Sequence, residues 1–178
     1  MIAERRTKAA IARMIHTAAP ASSAAWPAGF EVAIDYQIPE LSAGRYHPPF
    51  VAIWITDQDG KLVRTLFHLG NRPRRFLDSN YVWWKGFNAD GNGPDKLATV
   101  TRPSRPPGKY SAVWDGRDDA GNPVGLGRYT INIEMSREHV GHTVQAIPLD
   151  LGKAPASASA QGEGEAGPAA ARYGRPTV

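Results

Sequence analysis

Residues 108–129, GKYSAVWDGRDDAGNPVGLGRY, carry the clearest β-structure signal in the chain. Apolar and polar residues alternate through Tyr110, Ala112 and Trp114, which is typical of a half-buried strand. The Asp, Gly and Asn residues that follow tolerate the positive φ of tight turns, and a return strand begins at residues 127–129. The stretch therefore predicts a β-hairpin whose Trp114 lies in the core.

The same period-two alternation occurs on both sides of this stretch and indicates further half-buried strands. A turn at residues 57–60, DQDG, is expected to join two of them into a second hairpin. The predicted strands cover residues 30–38, 51–55, 61–69, 129–135 and 143–149. The apolar residues that share their buried faces are Phe30, Val32, Ile34, Tyr36, Ile38, Val51, Ile53, Ile55, Tyr129, Ile131, Ile133 and Met135.

One segment departs from period two and predicts a single short helix. Leu77, Tyr81 and Trp84 lie at helical spacing, and Asp78 or Ser79 is available as an N-cap. Short strands separated by Gly and Pro residues are typical of two packed sheets. The predicted fold class is all-β, an antiparallel immunoglobulin-like β-sandwich with one short helix and disordered termini.

The chain of 178 residues has room for one domain. Residues 1–25 are predicted to be a basic leader or a degenerate signal peptide, because Arg13 interrupts the short apolar run after the basic start. Residues 26–152 are predicted to form the sandwich domain. Residues 153–178 consist mostly of Ala, Ser, Gly, Pro and Glu, and they are predicted to be a disordered tail because they have little apolar surface to bury.

Composition excludes several classes of site. The chain has no cysteine, which excludes disulfides, thiolate metal sites and cysteine nucleophiles. The formal net charge of +4 lies at the two ends, where basic residues exceed acidic ones by three in residues 1–15 and by one in residues 153–178. The domain between them has no net charge to attract phosphate backbones, so nucleic acid is not an expected partner. No apolar stretch approaches the roughly 18 residues of a transmembrane helix, so the protein is not expected to be transmembrane.

The hairpin stretch resembles the GxYxxxWDGxDxxGxxVxxGxY hairpin of an immunoglobulin-like domain in flagellar hook-capping proteins and other exported bacterial proteins. Together with PFVAIW at 49–54, DGK at 59–61, VRTL at 63–66, WW at 83–84 and REH at 137–139, the chain resembles the predicted periplasmic protein family DUF2271, a domain of unknown function. The resemblance spans residues 30–149. It implies a periplasmic location and a sandwich fold, in some relatives beside PepSY-type membrane proteins and flavin-transfer machinery, but no established activity.

Three histidines are candidate metal ligands. His139 and His142 form an H-x-x-H pattern beside Glu138, and His68 lies elsewhere in the chain. In a continuous strand, residues three apart point to opposite faces, so only a turn at Gly141 would bring the first two rings together. The alternative is that these are ordinary surface or strand-end histidines. No other cofactor is predicted.

Two further groups of residues have both a functional and a structural interpretation. Asp and Asn residues in 115–122 and 90–95 offer oxygens of the kind that bind calcium, but neither loop matches the EF-hand pattern, and turn chemistry explains them. Trp83 and Trp84 are candidates for a ligand or partner surface. The alternative is that they form an aromatic pair in the core.

No catalytic motif supports an enzyme, since the chain has no G-x-S-x-G elbow, P-loop or dinucleotide fingerprint, and no catalytic residue is predicted. The leading prediction is a non-enzymatic periplasmic binding or accessory domain that serves a membrane redox or metal-uptake system, with a PepSY-type membrane protein as partner. Two alternatives stay open. One is a small metal-dependent protein that uses His68, His139 and His142, and the other is an envelope structural module.

Overall fold

The computed structural model describes residues 24–41, 46–70, 77–92, 94–138 and 141–177. Within these ranges the chain forms nine strands, two α-helices and one 3-10 helix, which covers Leu77–Asn80. The helices are α1 (Tyr81–Ala89) and α2 (Pro94–Val100). The strands are β1 (Glu31–Ile38), β2 (Phe50–Asp57), β3 (Leu62–Leu69), β4 (Thr101–Arg102), β5 (Gly108–Trp114), β6 (Gly127–Arg137), β7 (Gly141–Leu151), β8 (Ala156–Ala160) and β9 (Ala169–Gly174).

The strands form two sheets. The first sheet has the order β5-β1-β9-β8, and the second has the order β4-β3-β2-β6-β7. Neighbouring strands in the described residues run antiparallel, except that β4 runs parallel to β3. The all-β, antiparallel sandwich predicted from the sequence is therefore confirmed, while its specific relation to immunoglobulin-like domains stays a prediction.

The main core lies between the two sheets and follows the predicted alternation. Along β1, every second residue from Val32 to Ile38 is buried and faces the second sheet. Trp114 is fully buried, as predicted, and its ring packs edge-on against Trp26 and Tyr129 at centroid distances of 5.0 and 5.3 Å. Burying aromatic side chains of this size makes a large contribution to a small domain's stability.

A second, smaller core lies on the outer face of the second sheet. Strand β2 is buried on both faces, so Ala52 and Trp54 point outward where Ile53 and Ile55 point into the main core. Helices α1 and α2 cover these outward residues. The buried members of this core are Ala52, Trp54, Leu62, Trp83, Phe87 and Leu97.

The helical segment differs from the prediction in extent, face and cap. The chain has two α-helices where one was expected, because Pro94 is compatible with the first turn of α2 and Leu97 supplies its buried contact. In α1 the buried residues are Trp83 and Phe87, whereas Tyr81, one of the residues whose spacing predicted the helix, is exposed. Asn80 is the N-cap residue, and its side chain makes no capping hydrogen bond. No helix in the described ranges is long and apolar enough to span a membrane.

The predicted disordered tail is wrong for residues 153–177. Strand β9 lies between β1 and β8 in the first sheet, and it pairs with β1 from Tyr36 and Ala169 to Glu31 and Gly174. Backbone hydrogen bonds hold this pairing, and they do not require large side chains. Ala171 and Tyr173 are nevertheless fully buried. The sandwich therefore extends beyond residue 152, whereas residues 1–23 of the predicted leader lie outside the described ranges.

The predicted hairpin over residues 108–129 is also corrected. Strand β5 pairs with β1 in the first sheet, while β6 pairs with β2 and β7 in the second, so the segment between them crosses from one sheet to the other. The Asp, Gly and Asn residues after Trp114 predict the sharp turn, but they do not determine which strands pair with β5 and β6. Within the crossing, the Asp118 carboxylate accepts backbone hydrogen bonds from Ala120 and Asn122 at 3.0 and 2.8 Å.

Candidate functional site

The structure describes two of the three candidate histidines and places them in different environments. His139 lies outside the described residues. His68 lies in β3 and His142 in β7, and strands β2 and β6 lie between them in the second sheet. In the sheet register, His68 is beside Ala52, Ala52 is beside Glu134, and Ser136 is beside His142. The structure therefore does not bring His68 and His142 together, and no group of three potential metal ligands occurs among the described residues.

His68 is a buried ring in an aromatic stack. Its imidazole lies nearly parallel to Trp83 at 4.8 Å and to Phe50 at 6.4 Å between ring centroids. Neither ring nitrogen has a hydrogen-bond partner in the described part of the chain. Burial lowers the pKa of His68 from 6.5 to about 4, so the ring is neutral at pH 7.

The His68→Phe variant is expected to remove an acid-dependent loss of stability. Since the pKa of His68 is lower in the folded chain, the unfolded chain takes up the proton first as the pH falls. The wild-type free energy of unfolding should therefore drop between about pH 6.5 and pH 4, by about 3 kcal/mol more than that of the variant. Urea unfolding of both proteins at several pH values across this window measures the difference.

The variant His47→Gln is the control for this comparison. His47 is exposed, so its replacement should leave the acid dependence of the wild type unchanged. Equal losses of stability in the wild type and the His68→Phe variant between pH 6.5 and pH 4 would contradict the burial of a neutral imidazole.

Glu134 is the centre of the polar cluster on the outer face of the second sheet. Its side chain is fully buried, and its two carboxylate oxygens accept hydrogen bonds from the backbone N–H groups of Val82 at 3.1 Å and Trp83 at 2.8 Å. These N–H groups belong to the first turn of α1 and have no partner within the helix. A negative charge at this end also interacts favourably with the helix dipole. Glu134 thus caps α1 from a neighbouring strand.

His142 binds the same carboxylate. Its Nε2 lies 2.5 Å from Oε1 of Glu134, so the ring N–H donates a short hydrogen bond to the carboxylate. The ring also stacks on Tyr81 at 4.4 Å between centroids, with the Tyr81 hydroxyl 3.4 Å from Nδ1. Glu134 and Tyr81 together fix the orientation of the imidazole.

A further hydrogen bond joins the same two elements. The Ser136 hydroxyl donates to Oδ1 of the buried Asn80 side chain at 2.6 Å, immediately before α1 begins. Trp83 also attaches α1 to β3, because its indole N–H donates to the Thr65 hydroxyl at 3.1 Å. The start of α1 is therefore anchored to β3, β6 and β7 by side chains.

The two tryptophans have different exposures. Trp83 is fully buried beneath α1, so it cannot offer a contact surface, whereas Trp84 is partly exposed. The exposed apolar side chains of this region are instead Tyr81, Val82 and Val144, at 56%, 40% and 38% exposure. Val82 donates to Glu134 and Val144 lies beside Glu134 in the sheet register, so both flank the same carboxylate. We call Tyr81, Val82, His142 and Val144 the helix-edge patch.

Sequence reasoning missed Glu134, Tyr81, Ser136 and Asn80 as members of this cluster. One signal was present, because Glu134 is the one acidic residue of β6 and occupies an outward position between Ile133 and Met135. The partners of that carboxylate lie about 50 residues earlier in the chain.

The family described as predicted periplasmic protein (DUF2271) matches residues 31–168 of the chain. The match continues beyond residue 149, where the resemblance inferred from the sequence ended, and it includes β8. No curated protein and no solved structure matches the chain.

Proposed function

The chain belongs to this family of predicted periplasmic proteins, which fits a periplasmic location, and we propose that it is a non-enzymatic binding domain for a membrane partner. The proposed contact surface is the helix-edge patch. The proposed partner is the periplasmic part of a PepSY-type membrane protein, as the family resemblance suggests.

The observation that carries this proposal is an exposed apolar patch on a rigid support. Tyr81 and Val82 are exposed in the first turn of α1, and Glu134 holds that turn against the sheet through two backbone hydrogen bonds. Tyrosine is enriched at protein interfaces because it offers a large contact area and loses little conformational entropy. A fixed surface also loses less entropy on binding than a mobile one.

The polar groups of the cluster favour binding over catalysis. Glu134 accepts three hydrogen bonds from the protein itself, and one nitrogen of His142 is engaged by that carboxylate. These groups therefore have a structural role that accounts for their burial and distances. Two residues of the patch, His142 and Val144, lie on β7, which is an edge strand of the second sheet and gives a partner an approach from the side.

The combined variant Val82→Gln with Val144→Gln is expected to weaken binding to the partner at least tenfold, roughly the effect of losing one strong interface contact. Binding of the purified chain to the purified periplasmic segment of a PepSY-type membrane protein can be measured by isothermal titration calorimetry. Both valines are exposed, so the double variant should fold normally.

Val113→Gln is the matched control. Val113 is 52% exposed and lies in β5, at the edge of the first sheet, so its replacement should leave the dissociation constant unchanged. The proposal fails if the wild-type chain does not bind this segment, or if the double variant and the control bind it equally well.

A further inference from the structure

A small polar cavity lies away from the helix-edge patch, between β3, α2 and the segment that crosses between the sheets. Its volume is about 300 Å³, at the lower end of the range for small-molecule sites. Its polar and charged lining comes from Arg64, Thr65, Asn92, Lys96, Thr99, Arg102 and Asp119.

Three buried polar atoms of these lining residues have no hydrogen-bond partner in the described part of the chain. They are Nε of Arg64, Nδ2 of Asn92 and Oδ2 of Asp119. The Asn92 residue is only 2% exposed. Buried polar groups are normally paired, so two unpaired donors and one unpaired acceptor at one cavity indicate space for a ligand with complementary groups.

Neighbouring hydrogen bonds hold two of these side chains in place. Another nitrogen of Arg64, Nη1, donates to the carbonyl oxygen of Asp118 at 3.0 Å. The other oxygen of Asp119, Oδ1, accepts from the backbone N–H of Thr65 at 3.0 Å. The unpaired atoms therefore belong to side chains that are already positioned.

The charges around the cavity favour an anion, but the Asp119 carboxylate also requires a hydrogen-bond donor from that anion. Arg64, Lys96 and Arg102 contribute three cationic groups against the carboxylate of Asp119, whose Oδ1 lies 3.9 Å from Nε of Arg64 in an ion pair. An anion that only accepts hydrogen bonds would be repelled by Asp119 and would leave its Oδ2 unpaired. An anion that also carries a hydroxyl group would satisfy both the donors and the acceptor.

We propose that this cavity binds a small anion that also carries a hydroxyl group. Oxygens of the anion accept hydrogen bonds from Asn92 and Arg64, and the hydroxyl donates to Oδ2 of Asp119. Lys96 and Arg102 balance the negative charge. Hydrogen phosphate and an α-hydroxycarboxylate such as glycolate share this chemistry, whereas sulfate and acetate are their counterparts without the hydroxyl.

Isothermal titration calorimetry on the full chain at pH 7 and constant ionic strength tests the proposal with two matched pairs. Phosphate is compared with sulfate, and glycolate with acetate. We expect the hydroxyl-bearing member of one pair to bind at least tenfold more tightly than its counterpart, because a site built to pair with a hydroxyl rejects ligands that lack it. The pair that shows this difference identifies the ligand class. The proposal is overturned if none of the four binds, or if both members of each pair bind equally.

Substitutions locate the site. Lys96→Met, at an exposed residue, should weaken binding several-fold without affecting folding, and Asn92→Leu should weaken it at least tenfold. Asp119→Asn adds a donor and should reduce the preference for the hydroxyl-bearing anion. If Asn92→Leu does not fold, anion binding by the Lys96→Met and Asp119→Asn variants tests the assignment of the site. Lys153→Met, at an exposed lysine outside the cavity lining, is the control, and a loss of binding equal to that of Lys96→Met would contradict the assignment.

Discussion

A chain that ends at Gly152 is expected not to fold cooperatively. The deletion removes β8 and β9, and β9 is an interior strand of the first sheet. It also removes Tyr173, whose ring packs edge-on against Trp26 and Phe30 at 5.0 and 5.1 Å between centroids. Loss of one large buried aromatic side chain costs about 3–5 kcal/mol, and the loss of a whole strand approaches the total stability of about 5–15 kcal/mol for a domain.

Near-ultraviolet circular dichroism and urea unfolding measure this effect. The truncated chain should lack the signal of packed tryptophans and should show no sigmoidal unfolding transition. A chain that ends at Gly174 is the matched control, because it loses residues 175–178 but keeps every pair between β1 and β9. A truncated chain with the wild-type unfolding midpoint would show that the last two strands contribute nothing to stability.

The Glu134→Ala variant is expected to lower the free energy of unfolding by about 3–5 kcal/mol. The substitution leaves the backbone N–H groups of Val82 and Trp83 without their acceptor, and it also removes the partner of His142. All three donors then lose hydrogen bonds that water can replace only in part, because the carboxylate they bind is fully buried. The first turn of α1 should detach from the sheet at lower urea concentrations.

Two further variants make this measurement specific. Asp150→Ala removes a carboxylate from an exposed ion pair with Arg128 on the same sheet, and it should change stability very little. Glu134→Gln keeps one acceptor oxygen and should lose less stability than Glu134→Ala. If Glu134→Ala and Asp150→Ala have equal unfolding midpoints, Glu134 does not anchor α1.

The strands with strong alternation could be predicted because burial on one face selects apolar residues at every second position. Val32, Ile34 and Ile38 satisfy this pattern and are buried as expected. Strands β8 and β9 could not be predicted from hydrophobicity, because alanine contributes little to it. Ala158 and Ala171 pair in adjacent strands, where small side chains fit and the backbone supplies the hydrogen bonds.

The partners of strands and side chains were less predictable than the strands themselves. Turn residues after Trp114 predict a reversal of the chain, but contacts distant in sequence decide that β5 pairs with β1. The same limit applies to the polar cluster. His142 is a visible candidate in the sequence, yet its partner Glu134 becomes recognisable only when α1 is placed on the sheet.

The position of β1 has a consequence for the order in which the protein can assemble. Tyr36 pairs with Tyr110 on one side and with Ala169, 133 residues later, on the other. A polypeptide that emerges from a ribosome or a translocation pore with its N-terminus first cannot complete the first sheet until residues 169–174 are free. Contacts this distant in sequence also slow folding, typically to milliseconds or longer. The first sheet therefore stays incomplete until the last strand of the chain has emerged, whereas the strands of the second sheet are all available earlier.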